Sequence, residues 1–283
     1  MESRMILIAD SGSTGTSWVL TDFSNYRKDF EGAGMNPNYS SEKELKESLS
    51  LLPFDSDKVS KIYFYGSGVG SEENNRKVSR LISQRFQKAE VFVANDLLAA
   101  AKALSPENPG IIGILGTGTN SCYWDGERIS DDQHSLGFLL GDEGSGFDFG
   151  KHILSAFFYN QLSQELSTKF RGQYQLDRSL FITELYQQTS PNRYIAAFAP
   201  FVFENSDFPE MKKLIQNRFN HFIKYYLMRF QSLDLPVHFI GSVAYFGKPL
   251  LEDCLRQAGF SPGAFLRQPM DGLLQYHKIK HNI

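Results

Sequence analysis

The sequence predicts an α/β protein with two related halves, and three observations support this prediction. Short apolar runs alternate with amphipathic stretches of helical spacing through the first 104 residues, which is typical of strands and helices around a sheet. The tripeptide Thr14-Gly15-Thr16 returns 103 residues later as Thr117-Gly118-Thr119, each time after an apolar run and shortly before a tryptophan. The 283 residues also leave room for two domains of about 150 residues each.

The first half is predicted to begin with a three-stranded hairpin unit. Strands are expected over 5–9, 16–21 and 27–31, with a tight turn over 11–15, and the later elements are a helix over 41–51, a strand over 61–65, a helix over 72–87, a strand over 90–94 and a helix over 97–104. The segment 105–110 contains two prolines and is the best linker. The predicted domains are therefore 1–107 and 108–269, and a helix over about 270–283 could join the first.

The second half is predicted to repeat this beginning. A strand over 111–115 breaks at the turn 116–121 and resumes at 122–124, helical spacing marks 147–170 and 210–229, and a strand over 237–240 precedes a helix over 248–258. His277 and His281 have the i, i+4 spacing of a metal pair, but no acid lies near them in the sequence. We expect both histidines to lie in a solvated basic tail.

Composition excludes several classes of protein. Lys and Arg number 29 against 32 Asp and Glu, so the net charge is 29 − 32 = −3, and no basic block is present to bind nucleic acid. The longest uncharged stretch, 108–124, contains four glycines and is not a membrane span.

Cys122 and Cys254 form no CxxC, which favours the reducing cytoplasm over a disulfide framework. Aromatic residues number 39, enough to cover a homodimer interface, although most are expected in the core.

Two turns have the composition of phosphate-binding loops. Asp10 ends an apolar strand and precedes a turn of glycines and hydroxyl residues, where backbone amides can converge on an anion and the carboxylate can hold Mg²⁺ through its waters. The turn 116–121 repeats these residue types and could hold the other end of a polyphosphate across a cleft. A hairpin turn that satisfies only its own backbone is the alternative for each.

Three further segments carry side chains suited to a sugar. Asp96 follows a predicted strand, where a carboxylate can accept the proton of an attacking hydroxyl, although Asn95 or Asp96 would serve equally as a helix N-cap. The acids of 141–146 and the amides of 32–38 can bind polyol hydroxyls, or simply form turns. The loop 66–70 has glycine spacing GxGxG, which departs from the GxGxxG of dinucleotide-binding proteins, so an oxidoreductase is a weaker alternative.

Together, the turns at 10–14, 95–96, 116–120, 141–146 and 241–243 resemble, in order and spacing, the N-acetylglucosamine kinase branch of the BadF/BadG/BcrA/BcrD ATPase family. The resemblance spans about 5–275. It implies two ribonuclease H-like domains of the actin-like ATPase type around a central nucleotide cleft.

The resemblance also implies roles for individual residues. Asp96 would be the catalytic base, and Asp10 would lie near Mg²⁺ and hold it through water. The residues implied to bind ATP are Gly12, Ser13, Thr14, Gly116, Thr117, Gly241 and Ser242; those implied to bind the sugar are Asn36, Asn95, Thr117, Asn120 and Asp142. Ser242 stands where a second glycine is frequent in the family, so the sequence departs from the family pattern at the implied adenosine contact.

The predicted function is ATP- and Mg²⁺-dependent phosphorylation of an amino sugar hydroxyl, with N-acetylglucosamine or a relative such as N-acetylmuramic acid as acceptor. The alternative is a non-kinase ATPase that acts on a protein partner. The iron–sulfur activases of the same family are disfavoured, because the second turn lacks their acidic sequence and the two cysteines do not match their cluster positions.

Overall fold

The computed structural model describes residues 5–12, 14–133 and 135–281, and two compact units divide them. The first unit comprises residues 1–108, 126–129 and 268–283, and the second comprises 109–125 and 130–267. Each unit contains one five-stranded sheet in the described part of the chain. The predicted α/β class is therefore confirmed.

The sheet of the first unit has the strand order β3-β2-β1-β4-β5. Its strands are β1 (Met5–Ser11), β2 (Gly15–Thr21), β3 (Arg27–Ala33), β4 (Val59–Gly66) and β5 (Glu90–Asn95). β1, β2 and β3 form the predicted antiparallel hairpin unit, whereas β4 runs parallel to both β1 and β5. The carboxyl ends of β1, β4 and β5 therefore meet at one edge of the sheet.

Helices cover both faces of this sheet. They are α1 (Glu42–Ser50), α2 (Glu72–Arg85), α3 (Asp96–Leu104) and, from the end of the chain, α13 (Met270–Lys280). Because successive side chains of a strand point to opposite faces, Leu7 packs with the core beneath α1 and α2, while Ile8 packs with residues of α3 and α13. The apolar run of β1 is nearly continuous because both of its faces are buried.

The C-terminal tail corrects one expectation from the sequence. His277 is only 2% exposed, and its Nε2 lies 3.0 Å from the Tyr65 hydroxyl. The His281 ring is half-buried, with Nε2 3.0 Å from the Tyr63 hydroxyl. The prediction of a solvated tail is wrong, because α13 packs against α3 and β1, and the hydroxyls of Tyr65 and Tyr63 are hydrogen-bonded to the two imidazoles.

The sheet of the second unit has the order β8-β7-β6-β9-β10, which repeats the order of the first. Its strands are β6 (Gly110–Leu115), β7 (Thr119–Trp124), β8 (Ile129–Gln133), β9 (Pro236–Ile240) and β10 (Ser261–Leu266). β6 and β7 are antiparallel, and β9 runs parallel to β6 just as β4 runs parallel to β1. The repeated topology is the structural counterpart of the repeated Thr-Gly-Thr turn.

A helical layer rich in phenylalanine packs on the second sheet. The helices are α4 (Gly137–Leu140), α5 (Gly146–Phe158), α6 (Gln164–Tyr174), α7 (Arg178–Gln187), α8 (Pro191–Ala196), α9 (Ala199–Glu204), α10 (Pro209–Phe222), α11 (Ser242–Phe246) and α12 (Lys248–Gln257). The stripe 147–170 is divided at Tyr159–Ser163, where Asn160 has a φ of +54°. After Phe222 the α-helix passes into a π turn and then a 3-10 turn that ends at Leu233. No helix in the described residues is both long enough and apolar enough to span a membrane.

Candidate active site

In the first unit, two predicted carboxyl groups lie at strand ends on one edge of the sheet, with β4 between their strands. Asp10 is the penultimate residue of β1, and Asp96 follows β5 as the first residue of α3. Burial first of all, and then the charges of Asp96 and Glu31, together raise the pKa of Asp10 to about 7. Burial also raises the pKa of Asp96, against the opposing effect of the Leu97 amide. The two carboxyl groups thus lie at one edge of the sheet, and the charge of Asp96 disfavours the ionised form of Asp10.

The turn after β1 closes with a hydrogen bond from the Gly12 amide to the Gly15 carbonyl, at 2.9 Å. Thr14 is exposed on this turn, and Ser13 lies outside the described residues. An exposed hydroxyl beside a glycine turn is suited to contact an anion.

Asn95 and Asn36 differ in how their side chains are used. Asn95 Oδ1 accepts a hydrogen bond from the Leu98 amide at 3.0 Å, so this residue is the N-cap of α3. Asn36 is 5% exposed, and its Nδ2 donates to Ser67 Oγ at 3.2 Å. A role for either residue in substrate binding stays a prediction.

In the second unit, the turn after β6 lies against the start of α5. The Gly116 amide donates to the Gly118 carbonyl at 3.0 Å. The Gly146 amide donates to the Gly116 carbonyl at 2.7 Å, and the Phe147 amide donates to the Thr117 carbonyl at 3.2 Å. The N-terminus of α5, which carries a partial positive charge, is thereby fixed beside the second predicted phosphate turn.

Asp142 is built into the same turn. Its carboxylate accepts hydrogen bonds from the Thr119 amide at 3.1 Å and from the Ser135 hydroxyl at 2.7 Å. A Cβ atom on Gly118 would lie 2.9 Å from Asp142 Oδ2, so the glycine allows this close approach. Burial raises the pKa of Asp142, and these hydrogen bonds oppose the shift. Asn120 lies on β7, where its Oδ1 accepts from the Ser121 amide at 2.9 Å.

A cavity of about 450 Å³ opens beside the second turn, within the second unit. It combines glycine and hydroxyl residues of the turn and helix starts with apolar side chains and one acid: Gly116, Thr117, Gly146, Ser242, Ala196, Ala199, Pro200, Phe203, Val243, Phe246 and Glu204. An apolar cavity of this size with a few polar groups at one end suits a small organic ligand with an anionic end.

Gly241 brings α11 close to this turn. Its φ is +119°, and a Cβ atom would lie 2.6 Å from the Leu115 carbonyl carbon and would overlap the carbonyl oxygen. Only glycine accepts this backbone conformation without strain, so Gly241 is required where β9 meets α11. Gly116, Thr117 and Ser242, all predicted to bind nucleotide, thus line one cavity, and Gly241 shapes its wall.

Several residues that build these sites were not predicted from the sequence. Ser11, Ser67 and Ser135 each hydrogen-bond a predicted site residue or the loop that carries it, and Glu204 is the acid at the cavity. The adjacency of Ser11 to Asp10 and of Ser67 to two glycines was a weak signal. No feature of the sequence indicated Glu204 as a site residue, because it ends an apolar helix far from every motif.

The described residues thus form two sheets of equal strand order, each with a glycine turn after its first strand. The chain belongs to the BadF/BadG/BcrA/BcrD ATPase family, whose model matches residues 5–210. This confirms the family that the turns indicated.

Three proteins similar to this chain are described as kinases of N-acetylglucosamine or N-acetylmuramic acid. A solved candidate N-acetylglucosamine kinase from Porphyromonas gingivalis is 34% identical, with a TM-score of 0.92 over 98% of this chain and 100% of that one. A second, from Chromobacterium violaceum, is 19% identical with a TM-score of 0.70 over 98% and 99%, and it shows the fold alone. A curated N-acetylmuramic acid/N-acetylglucosamine kinase from Clostridium acetobutylicum is 27% identical over 164 residues, which are 54% of this chain. The match spans about half of that relative, 53% of its length.

Proposed function

We propose that the protein transfers the γ-phosphoryl group of ATP to a hydroxyl of an amino sugar of the N-acetylglucosamine type. Membership of an ATPase family supports ATP as donor, and the descriptions of the relatives from Porphyromonas and Clostridium support the acceptor. The observation that carries the proposal is the position of Asp96. Its carboxyl group has a raised pKa and lies at the same edge of the sheet as Asp10.

In the proposed reaction, the sugar hydroxyl oxygen forms a bond to the γ-phosphorus while the bond to the β,γ-bridging oxygen breaks, and ADP leaves. Asp96 accepts the hydroxyl proton. Burial raises the pKa of Asp96 towards the working pH, which makes its carboxylate a better proton acceptor than an exposed one. Phosphoryl transfer needs little covalent assistance, so orientation of the two substrates supplies most of the rate.

Mg²⁺ is the cofactor that this chemistry implies, and Asp10 is the residue proposed to hold it. Within residues 5–12, 14–133 and 135–281, no three His, Cys, Asp or Glu side chains gather as a metal-binding group. One carboxylate fits Mg²⁺ nevertheless, because this ion usually retains several waters and takes phosphate oxygens as ligands. The charges of Asp96 and Glu31 disfavour ionised Asp10, and a cation beside it would relieve that repulsion. When bound, Mg²⁺ neutralises charge on the phosphates.

In the second unit, the cavity is proposed to take the adenosine and the turn at Gly116 and Thr117 to take phosphate. The start of α5 contributes favourable electrostatics to an anion at that turn. Asp142, a buried acceptor, is proposed to bind a sugar hydroxyl. Asn36, Asn95 and Asn120 remain the other proposed sugar contacts.

The test is a phosphosugar assay with Mg-ATP and a panel of N-acetylglucosamine, N-acetylmuramic acid, glucose and mannose, read by ³¹P NMR and mass spectrometry. Asp96→Asn should lower turnover about 10²- to 10⁴-fold and leave ATP affinity unchanged, because only proton transfer is removed. Asp271→Asn is the matched control, since Asp271 also lies in the first turn of a helix but its side chain is 88% exposed.

Two results would contradict the proposal. ATP hydrolysis without any phosphosugar, stimulated by a protein partner, would favour the non-kinase ATPase. A phosphosugar formed by Asp96→Asn at the rate of Asp271→Asn would remove Asp96 from the role of base.

A further inference from the structure

The loop Gly66–Gly70, between β4 and α2, has no part in the function proposed so far. It begins at the carboxyl end of β4, where Gly66 is in register with Ser11 of β1 on one side and Asn95 of β5 on the other. The loop therefore emerges between the strand that carries Asp10 and the strand that leads into Asp96. A loop in this position of a parallel sheet is well placed to act on a ligand at the strand ends.

The loop contacts the side-chain amide of Asn36. Asn36 Nδ2 donates to Ser67 Oγ at 3.2 Å, and Asn36 Oδ1 accepts from the Asn38 amide at 2.9 Å. Both ends of the amide group thus have a directional partner, which fixes the plane and the rotamer of this buried side chain.

Gly68 makes room for this amide. It has a φ of +80°, and a Cβ atom there would overlap Asn36 Oδ1 and lie 2.8 Å from Asn36 Cγ. The obstructing group is the end of a side chain, so the smallest response to a Cβ is displacement of the Asn36 amide. Gly70, two residues later, has nothing within 4 Å of such an atom. The glycine spacing that resembles a dinucleotide motif thus includes one position, Gly68, that the amide requires.

Ser11 ties this arrangement to the strand of Asp10. The Ser67 amide donates to the Ser11 carbonyl at 2.9 Å, and the Met35 amide donates to Ser11 Oγ at 3.0 Å. Ser11 is 1% exposed and is also hydrogen-bonded to the Thr16 hydroxyl at 2.8 Å. The loop 66–70 and the segment that carries Asn36 are therefore both fixed to one buried residue next to Asp10.

We infer that Ser67 and Gly68 are positioning residues, which hold the Asn36 amide in the orientation that recognises a hydroxyl of the acceptor sugar. The inference rests on the proposed function. An amide recognises a hydroxyl directionally, so an amide ordered beforehand binds its ligand with a smaller entropic cost. A residue that acts only on this orientation should change affinity for the sugar and leave affinity for ATP unchanged.

The first test compares Ser67→Ala with Ser60→Ala. Ser60 lies near the amino end of β4, the strand that ends just before Ser67, and its hydroxyl donates to the Met5 carbonyl at 3.1 Å. Both variants therefore lose one partly buried hydrogen bond of a serine hydroxyl. Ser67→Ala should raise the KM for the sugar about 2- to 10-fold, the range expected for one neutral hydrogen bond. Its Kd for ATP and its melting temperature should match those of Ser60→Ala. Ser67→Thr keeps the hydroxyl and should restore the KM.

The second test compares Gly68→Ala with Gly70→Ala. Gly68→Ala should raise the KM for the sugar by more than Ser67→Ala, because it moves the amide and does not merely release it, whereas Gly70→Ala should behave as wild type. If Gly68→Ala does not fold, the inference is tested by the comparison of Ser67→Ala, Ser67→Thr and Ser60→Ala alone.

The outcomes separate this inference from the proposed function. A wild-type protein that makes no phosphosugar removes the proposed function and the inference with it. A wild-type kinase in which Ser67→Ala and Ser60→Ala share one sugar KM, or in which Ser67→Ala changes KM for both substrates alike, overturns the inference alone.

Discussion

Replacement of His277 by glutamine should make the free energy of unfolding of the first unit fall less steeply as the pH drops. His277 lies on α13 with its ring 3.9 Å from that of Tyr63 and its Nε2 3.0 Å from the Tyr65 hydroxyl. Burial first of all, and then the positive charge of Lys102, lower the pKa of His277 to about 3. His281 and Lys61 act in the same sense.

The sign of the effect follows from linkage. An unfolded histidine has a pKa of about 6.5, so between that pH and about pH 3 the unfolded chain binds a proton that native His277 does not. The free energy of unfolding therefore falls as the pH drops below about 6.5, by about 1.4 kcal/mol per pH unit. Between pH 7 and pH 5 the loss from this one residue is about 2 kcal/mol. His277→Gln retains a polar partner for Tyr65 but removes the titrating group.

The assay is urea denaturation at pH 7, 6 and 5, followed by tryptophan fluorescence. The protein has two tryptophans, one in each unit. In a Trp124→Phe background, Trp18 reports the unit that contains His277. His221→Gln, in the second unit, is the control for loss of an imidazole. If His277→Gln loses as much stability as the parent between pH 7 and 5, within about 0.5 kcal/mol, then burial does not keep His277 neutral and the reasoning is refuted.

Two further predictions concern the second unit. Gly150→Ala should lower the free energy of unfolding by about 1–3 kcal/mol, because its Cβ would lie 2.8 Å from the Ile195 carbonyl carbon and force α5 and α8 apart. Gly172→Ala, in open space on α6, should instead stabilise by up to about 1 kcal/mol, so equal urea midpoints for the two variants would contradict the packing argument. Asp142→Asn should raise the KM for the sugar about 10- to 100-fold with an unchanged Kd for ATP, as expected for loss of a hydrogen bond to a charged group; steady-state kinetics would show an unchanged sugar KM if Asp142 only supports the turn.

The hairpins and the strand-end acids could be predicted from the sequence because their signals are local. The apolar run before Asp10 and the glycines after it give the strand end directly. The Ala-rich stretch after Asp96 likewise locates α3. Hydrophobic periodicity and turn composition involve residues within a few positions of one another, so they can be recognised in the sequence without knowledge of any tertiary contact.

Local patterns gave a wrong prediction where one helical spacing of apolar residues continued although the backbone changed from α-helical to π and 3-10 geometry. The stripe 210–229 predicts a single helix, whereas the α-helical geometry ends at Phe222. Side chains on one apolar face can pack against the core in α, π or 3-10 geometry, and spacing alone does not distinguish these. The strand β10, with mixed burial, was missed for a related reason: it lies at the edge of its sheet and lacks a continuous apolar run.

His277 shows how burial of a polar tail escapes the sequence. Its partner Tyr65 precedes it by 212 residues, and nothing near either residue announces the pair. A basic segment at the end of a chain is ordinarily solvated, but Met270 and Leu273 of α13 contribute to the core shared with β1. Packing of these apolar residues brought the imidazole inside.

The sequence by itself determined the α/β class, the repeat of the strand–turn–strand unit and the positions of Asp10, Asp96 and Thr117 at strand ends. Only the tertiary structure decided that Asp10 and Asp96 share one sheet edge, that Gly116, Thr117 and Ser242 line one cavity, and that Ser67 holds the Asn36 amide. The physical reason is range: periodicity and turn propensity arise between neighbours in the chain, whereas these contacts join residues more than 30 positions apart and exist only once strand order is set.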